Sequence, residues 1–167
     1  FQFPLDYDQR HTGSINFDYR FGGWDDVPKG FLGHIVKDFG FNVLFSFNSG
    51  RPYTSRKLPS SPFLDDGDAL STKNQVYRNW NLRFDLKVDK GFSIWKTRWT
   101  AYVYVLNLLN SELVNTVYGS TGRPDDNGYL LTPTGNSASE IYKENFRERI
   151  KNITNWGTPR QIRFGLK

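Results

Sequence analysis

Few residues in this chain could carry chemistry, and their spacing narrows the kind further. Histidine occurs only at His11 and His34, and cysteine is absent. Neither histidine belongs to a Gly-x-Ser-x-Gly elbow or a His-Glu-x-x-His pair, so no activated nucleophile or zinc-hydrolase arrangement is readable, and thiolate chemistry is excluded. A glycosidase needs two carboxylates at a set separation in space, and nothing in the order of residues selects such a pair. Asp125, Asp126, Asn127 and Gly128 offer the oxygens that hard cations prefer, but the spacing is not that of an EF-hand and DDNG is ordinary turn chemistry. The cluster Asp65, Asp66 and Asp68 reads the same way. No catalytic, cofactor-binding or metal-binding residue is therefore assigned, and an enzyme is not expected. What remains is stacking and charge: Tyr53, Tyr77, Tyr118, Tyr129 and Trp156 lie in turn-rich segments and, with Asp125 and Asp126, are candidate ligand contacts. Interfacial aromatic belts and loop packing are the competing explanation for the same rings.

The charges are patterned rather than massed. Lys and Arg number 22 against 17 Asp and Glu, a net of +5. The two signs alternate at short range, as in Asp18 and Arg20 or Arg83 and Asp85, so the basic patch of a nucleic-acid footprint is missing. Aromatics make up 17% of the residues, high for a chain with a mean hydropathy of -0.62. That combination suits the aromatic girdles of a membrane barrel or a stacking module.

Two-faced strands must position these groups. In WNLRFDLKVD, Trp80, Leu82, Phe84, Leu86 and Val88 share one parity, while Asn81, Arg83, Asp85, Lys87 and Asp89 share the other. This is the period of a strand with one apolar and one charged face. It is expected over 80–89, ended by Lys90 and Gly91. From His11 to about Gly22 the same alternation sets Ile15, Phe17, Tyr19 and Phe21 against Ser14, Asn16, Asp18 and Arg20. Residues 39–48 align Phe39, Phe41, Val43, Phe45 and Phe47, an apolar strip that needs a core or a lipid. Residues 97–110 form a further strand, apolar on both parities and so not orientable from its pattern. A last one carries Ile162, Phe164 and Leu166.

Between the strands, Pro4 argues for a loop at the start, Gly22, Gly23, Asp25, Asp26 and Pro28 break the first strand, and 34–37 is ambiguous. Residues 49–78 and 111–137 are rich in Pro, Gly, Ser and Asp and read as long loops. Ser137 with Glu140 fits a capping box, and Tyr142, Phe146, Ile150 and Ile153 form a stripe beyond it, predicting a helix over 138–151. Arg147, Arg149 and Lys151 read as its solvated face and C-terminal charges.

No stretch reads as a signal peptide and no run reaches ~18 apolar residues, but a spanning β-strand needs only ~9–11 alternating ones. Because the chain starts at Phe1 rather than Met, a processed product or fragment is expected. In an antiparallel arrangement the long connections 49–78 and 111–157 fall at one end of the sheet and the short connection 91–96 at the other, the asymmetry of an outer-membrane barrel.

The succession PLDYDQRHTGSINFDYRFG, SGRPYT, RNWNLRFDLKVDKGF, TAYVYVLNLLN, TGRPDDNGYL and NWGTPRQIRFGLK resembles the C-terminal portion of TonB-dependent outer-membrane receptors, particularly the Oar-like ones. The likeness runs over nearly the whole chain and is weakest in 23–38 and 55–75. It implies an all-β fold, an antiparallel transmembrane β-barrel segment of about the last five strands, with one short helix in an outer loop and residues 1–167 all within the barrel domain. It also implies a bacterial outer-membrane location, lipid around the apolar faces, and a lumen lined by Asp18, Arg20, Arg83, Asp85, Lys87 and Asp89. The plug domain and the segment contacting TonB would lie outside this chain, and the ligand is unnamed. The family's last strand usually ends in an aromatic residue, whereas this chain ends at Lys167, which implies either that the last few residues are missing or that this signal is altered. Two other readings stay open: a soluble β-sandwich that binds carbohydrate, and a barrel subunit of a secretion or structural complex.

Overall fold

The computed structural model describes residues 2–21, 30–65 and 67–167, without the side chains of Leu32 and His34. The fold is mostly antiparallel sheet with few helices. The expected break at Gly22, Gly23, Asp25, Asp26 and Pro28 falls outside the described residues, as does Asp66. The chain divides into a sheet unit, residues 13–21, 30–47, 82–111 and 158–167, and a loop-rich unit, residues 2–12, 48–81 and 112–157.

The strands are β1 (Thr12–Phe21), β2 (Phe39–Asn48), β3 (Pro52–Tyr53), β4 (Val76–Tyr77), β5 (Asn81–Ile94), β6 (Thr97–Leu106) and β7 (Gln161–Leu166). Five of them form one sheet in the order β1-β2-β5-β6-β7, and β3 pairs with β4. The β5–β6 ladder runs from Leu86↔Val105 to Ile94↔Thr97, and the β6–β7 ladder from Leu106↔Gln161 to Ala101↔Leu166, both antiparallel. The Gly91 N–H donates to the Asp38 carbonyl at 2.7 Å and the rings of Phe45 and Phe84 stack at 4.5 Å, which sets β2 antiparallel to β5.

Several strand ends differ from the sequence expectation. Lys90 and Gly91 do not end β5, which continues to Ile94 and turns over Trp95 and Lys96 into β6. Gly91 fits inside the ladder because its bare Cα faces Asp38. Conversely, β6 stops at Leu106 rather than reaching 110, because Asn107 and Asn110 adopt φ of 52° and 51°. Asparagine tolerates this left-handed geometry, which ends the pleat. Trp80 likewise precedes β5 and stacks on His11 with centroids 5.8 Å apart.

More than one helix is present. The ambiguous stretch forms α1 (Phe31–Val36), and α2 (Pro133–Asn136) precedes α3 (Glu140–Ile150). The N-cap of α3 is Ser139, whose hydroxyl accepts from the Tyr142 N–H at 3.3 Å, so the expected Ser137–Glu140 capping box does not form. Phe146 and Ile150, one turn apart, are buried with Tyr129, and Tyr118 and Leu130 pack against them. Ile153 lies in a separate 3-10 turn and is exposed, so the expected stripe ends at Ile150. Residues 49–78 are not structureless either: β3 and β4 pair there, and Arg56 bridges Ala69. Among the described residues no helix is long and apolar enough to cross a membrane, a statement that concerns helices only.

Candidate functional site

The registers sort every strand side chain onto one of two faces, since directly paired residues in an antiparallel ladder point the same way. β6, unreadable by its pattern alone, is thereby oriented. Val103 and Val105 pair with Val88 and Leu86 on β5 and with Phe164 and Ile162 on β7. Tyr102 and Tyr104 pair with Asp89 and Lys87 on one side, and with Gly165 and Arg163 on the other. Ring contacts extend the first face across β1 and β2, where Phe17 and Tyr19 each meet Phe41 at 5.8 and 5.9 Å, and Phe21 meets Phe39 at 6.3 Å.

The other face holds all six charged residues singled out from the sequence. Arg20 donates from both terminal nitrogens to Asp89, at 3.0 and 3.2 Å, and its Nε lies 3.6 Å from Asp18. Asn42 on β2 donates to Asp18 at 3.2 Å and to Asn16 at 2.8 Å. Arg83 meets Asp85 at 3.2 Å, and the Lys87 ammonium lies 5.8 Å from the centre of the Tyr102 ring. Asp85 also accepts from the Asn107 N–H at 2.9 Å. At the β1-β2-β5 end a cavity of about 260 Å³ is lined by Arg20, Asp38, Asp89 and Arg98, with Arg98 donating to Asp38 at 2.9 Å.

On the central strand β5 it is the charged face that holds the most buried side chains, whereas on the edge strands β1 and β7 both faces are largely exposed. Asp85 and Asp89 are 2% and 7% exposed, whereas Phe17 and Phe164 are 54% and 76% exposed. Ile15, Leu82, Trp99, Ile162 and Leu166 are exposed as well. Carboxylates are almost never this buried without partners, and here each has one. Arg83 Nε is the buried side-chain polar atom that lacks a partner among the described residues.

The tyrosines and aspartates proposed as ligand contacts are spread through the loop-rich unit rather than gathered in one pocket. Tyr129 is buried beside Phe146. The Tyr118 hydroxyl donates to the Ile150 carbonyl at 3.0 Å, and burial raises its pKa. Tyr77 donates to Asp8 at 3.1 Å beneath the Arg10 guanidinium, 4.6 Å from the ring centre. Tyr53 lies on β3, with Gly122 against its hydroxyl. Asp125 is held by Arg123 at 3.1 and 3.2 Å, and this hydrogen bond keeps its carboxyl below the ordinary range. Asp126 caps its own turn, accepting from the Gly128 N–H at 2.8 Å. Among the described residues no group of three or more His, Cys, Asp or Glu side chains could hold a metal ion.

Three buried asparagines, of which the sequence singles out only Asn127 and only as part of a turn, do much of the positioning. Asn107, 1% exposed, donates to the Ser111 and Thr158 carbonyls at 3.0 and 3.2 Å and accepts from the Ser111 N–H at 2.8 Å. Asn127, fully buried, donates to the Pro62 carbonyl at 2.9 Å, and Asn155 to that of Pro124 at 2.8 Å. A buried amide can satisfy stray loop N–H and C=O groups at once, which is why these loops are ordered without a large apolar core. The signal available was only the frequency of Asn near turns.

No known protein family, curated protein or solved structure matches the chain.

Proposed function

We propose that this chain supplies wall strands and ligand-contacting loops of a bacterial outer-membrane β-barrel of the TonB-dependent receptor type. One observation carries the reading: apolar side chains of one face, Phe17, Leu82 and Phe164 among them, are exposed, while Asp85 and Asp89 on the opposite face of the central strand β5 are buried and Asp18 at the sheet's edge is exposed. An apolar surface this continuous requires lipid or a second sheet. In a sandwich the polar face would meet bulk water and leave its carboxylates exposed, whereas Asp85 and Asp89 are shielded. That favours a lipid-facing wall around a charged lumen over the carbohydrate-binding sandwich. Strand length agrees, since β1, β2 and β6 have 10 residues each, within the ~9–11 of a tilted spanning strand.

In this reading Asp18, Arg20, Arg83, Asp85, Lys87 and Asp89 line the lumen. Residues 49–78 and 111–157 form the outer loops that meet the ligand, and energised displacement belongs to a plug and a TonB-contacting segment elsewhere. No bond-making step is assigned to the chain. A secretion or structural barrel would use the same wall and differ in what passes through it.

Because cysteine is absent, single cysteines can be introduced cleanly. Spin labels at Phe17, Val103 and Phe164 should be reached by oxygen dissolved in lipid, and labels at Asp18 and Tyr102 by a water-soluble nickel complex, after reconstitution in bilayers. Equal access at both parities, or a chain that stays monomeric in water without detergent, would sink the proposal.

A further inference from the structure

The motif SGRPYT, residues 49–54, has no role in the wall, yet its geometry is specific. β3 pairs with β4 so that Pro52 lies opposite Tyr77 and Tyr53 opposite Val76. One step further out, Arg51 stands opposite Arg78: the Arg78 N–H donates to the Arg51 carbonyl at 3.1 Å, and Arg78 Nε to the same oxygen at 3.2 Å. Gly50 makes the approach possible, because a Cβ there would overlap the Arg78 carbonyl. The Arg78 guanidinium is further fixed by the Asn115 carbonyl.

Like charges directly opposite one another on paired strands repel. Burial, and then the Arg51 charge, lower the Arg78 pKa. Among the described residues neither guanidinium is paired with a carboxylate. Arg51 and Arg78 line a cavity of about 200 Å³ together with Gln9, Asn48, Asn81, Val114 and Asn115. Asn81 is locked there by two bonds to the Val114 backbone, at 3.1 and 2.9 Å. The volume falls below the ~300–1,000 Å³ of pockets for whole drug-sized ligands, so it suits one head group.

We infer that Arg51 and Arg78 form a binding site for a single oxyanion group, the phosphate or carboxylate of a small acidic ligand. The Arg51 guanidinium, with the donors of Arg78 that its two backbone carbonyls leave over, matches the oxygens of such a group, and a bound anion offsets the repulsion between the two arginines. The site lies wholly within the loop-rich unit and stands whether or not the sheet faces lipid.

Thermal unfolding of the purified full chain in detergent micelles tests it, with sodium phosphate, sodium acetate or sodium chloride at matched ionic strength. Phosphate or acetate should raise Tm saturably above chloride; the one that does so identifies the group. Arg51→Gln should weaken that response at least roughly tenfold while leaving Tm in chloride unchanged or higher, because a repulsion is removed. Arg78→Gln should lose the response and also lower the basal Tm through its backbone contacts. Lys57→Gln, on a lysine paired with Asp68 at 3.1 Å, should leave the response intact. The site is overturned if neither oxyanion differs from chloride, or if Arg51→Gln responds like the unaltered chain.

Discussion

Arg20 on β1 reaches across β2 to clasp both carboxylate oxygens of Asp89 on β5, and it crosses at Gly40, the β2 residue with no side chain. A Cβ at Gly40 would lie 3.2 Å from the Asp89 carboxylate and 3.3 Å from Arg20 Cγ. The pair thus ties together strands that share no ladder. Its arginine is open to solvent while its carboxylate is nearly covered.

A double-mutant cycle with Arg20→Ala and Asp89→Ala should give a coupling of about 1 kcal/mol, the upper end for partly exposed pairs because both bonds form together. Gly40→Leu should erase most of that coupling by wedging the two apart. Urea unfolding of the refolded chain measures both, and a coupling under ~0.2 kcal/mol would show that the clasp contributes nothing.

Parity along β5 makes a sharper demand. Val88→Arg or Phe84→Arg should cost about 2–4 kcal/mol of stability in a bilayer if these residues sit near its midplane, while Lys87→Gln on the opposite face should be tolerated. Folding equilibria in lipid vesicles decide it, and similar costs at both parities would contradict a lipid-facing wall.

Asn107→Ala should cost about 3 kcal/mol. It removes three side-chain hydrogen bonds at roughly 1 kcal/mol each, partly offset by local water, and puts alanine in a left-handed conformation worth about 1–2 kcal/mol. Asn107→Gly should cost less by about that conformational share. Chemical denaturation gives both values, and equal losses would remove the backbone argument.

Trp95 holds φ of 56° at the tip of the β5–β6 turn with its indole 98% exposed, an unfavourable backbone for a bulky residue. Trp95→Gly should therefore raise the stability of the β5–β6 turn by about 1 kcal/mol in detergent. If the indole anchors at a membrane interface, the same change should weaken vesicle partition. Loss on both measurements would assign the ring a packing role instead.

The Arg123–Asp125 pair predicts an acid-side dependence. Because the folded carboxyl has a lowered pKa, its contribution is present above the unfolded carboxylate pKa and is lost as pH falls through the folded value. Asp125→Asn should lower stability at pH 7, where the contribution is fully present, and flatten that part of the curve below about pH 4, so that the variant and the unaltered chain converge in acid. An unchanged acid limb would mean that the pair is not populated in solution.

The sheet was legible because its registers obey a strict period of 2. Phe39 to Phe47 and Leu82 to Val88 keep one parity, and the structure puts both sets on one face. β6 was not legible, since Val103 and Tyr104 are both apolar enough to point inward, and only pairing with β5 and β7 separates them. Strand ends were lost for a different reason: Gly91 punctuates a pattern without stopping it, while Asn107 stops one without looking like punctuation. The paired arginines are not legible in the sequence, because residues 51 and 78 become neighbours only through the short β3–β4 ladder, whose two-residue strands are too brief to show a period.

The two-residue turn at Trp95 and Lys96 also bears on the order in which the sheet assembles. β5 and β6 can zip outward from that turn with almost no loop to close, on the microsecond scale typical of hairpins. β2 must find β5 across residues 49–80, and β7 must find β6 across residues 107–160. Hydrogen exchange during refolding should therefore protect Val88, Val103 and their neighbours first, and the rims at β1 and β7 last.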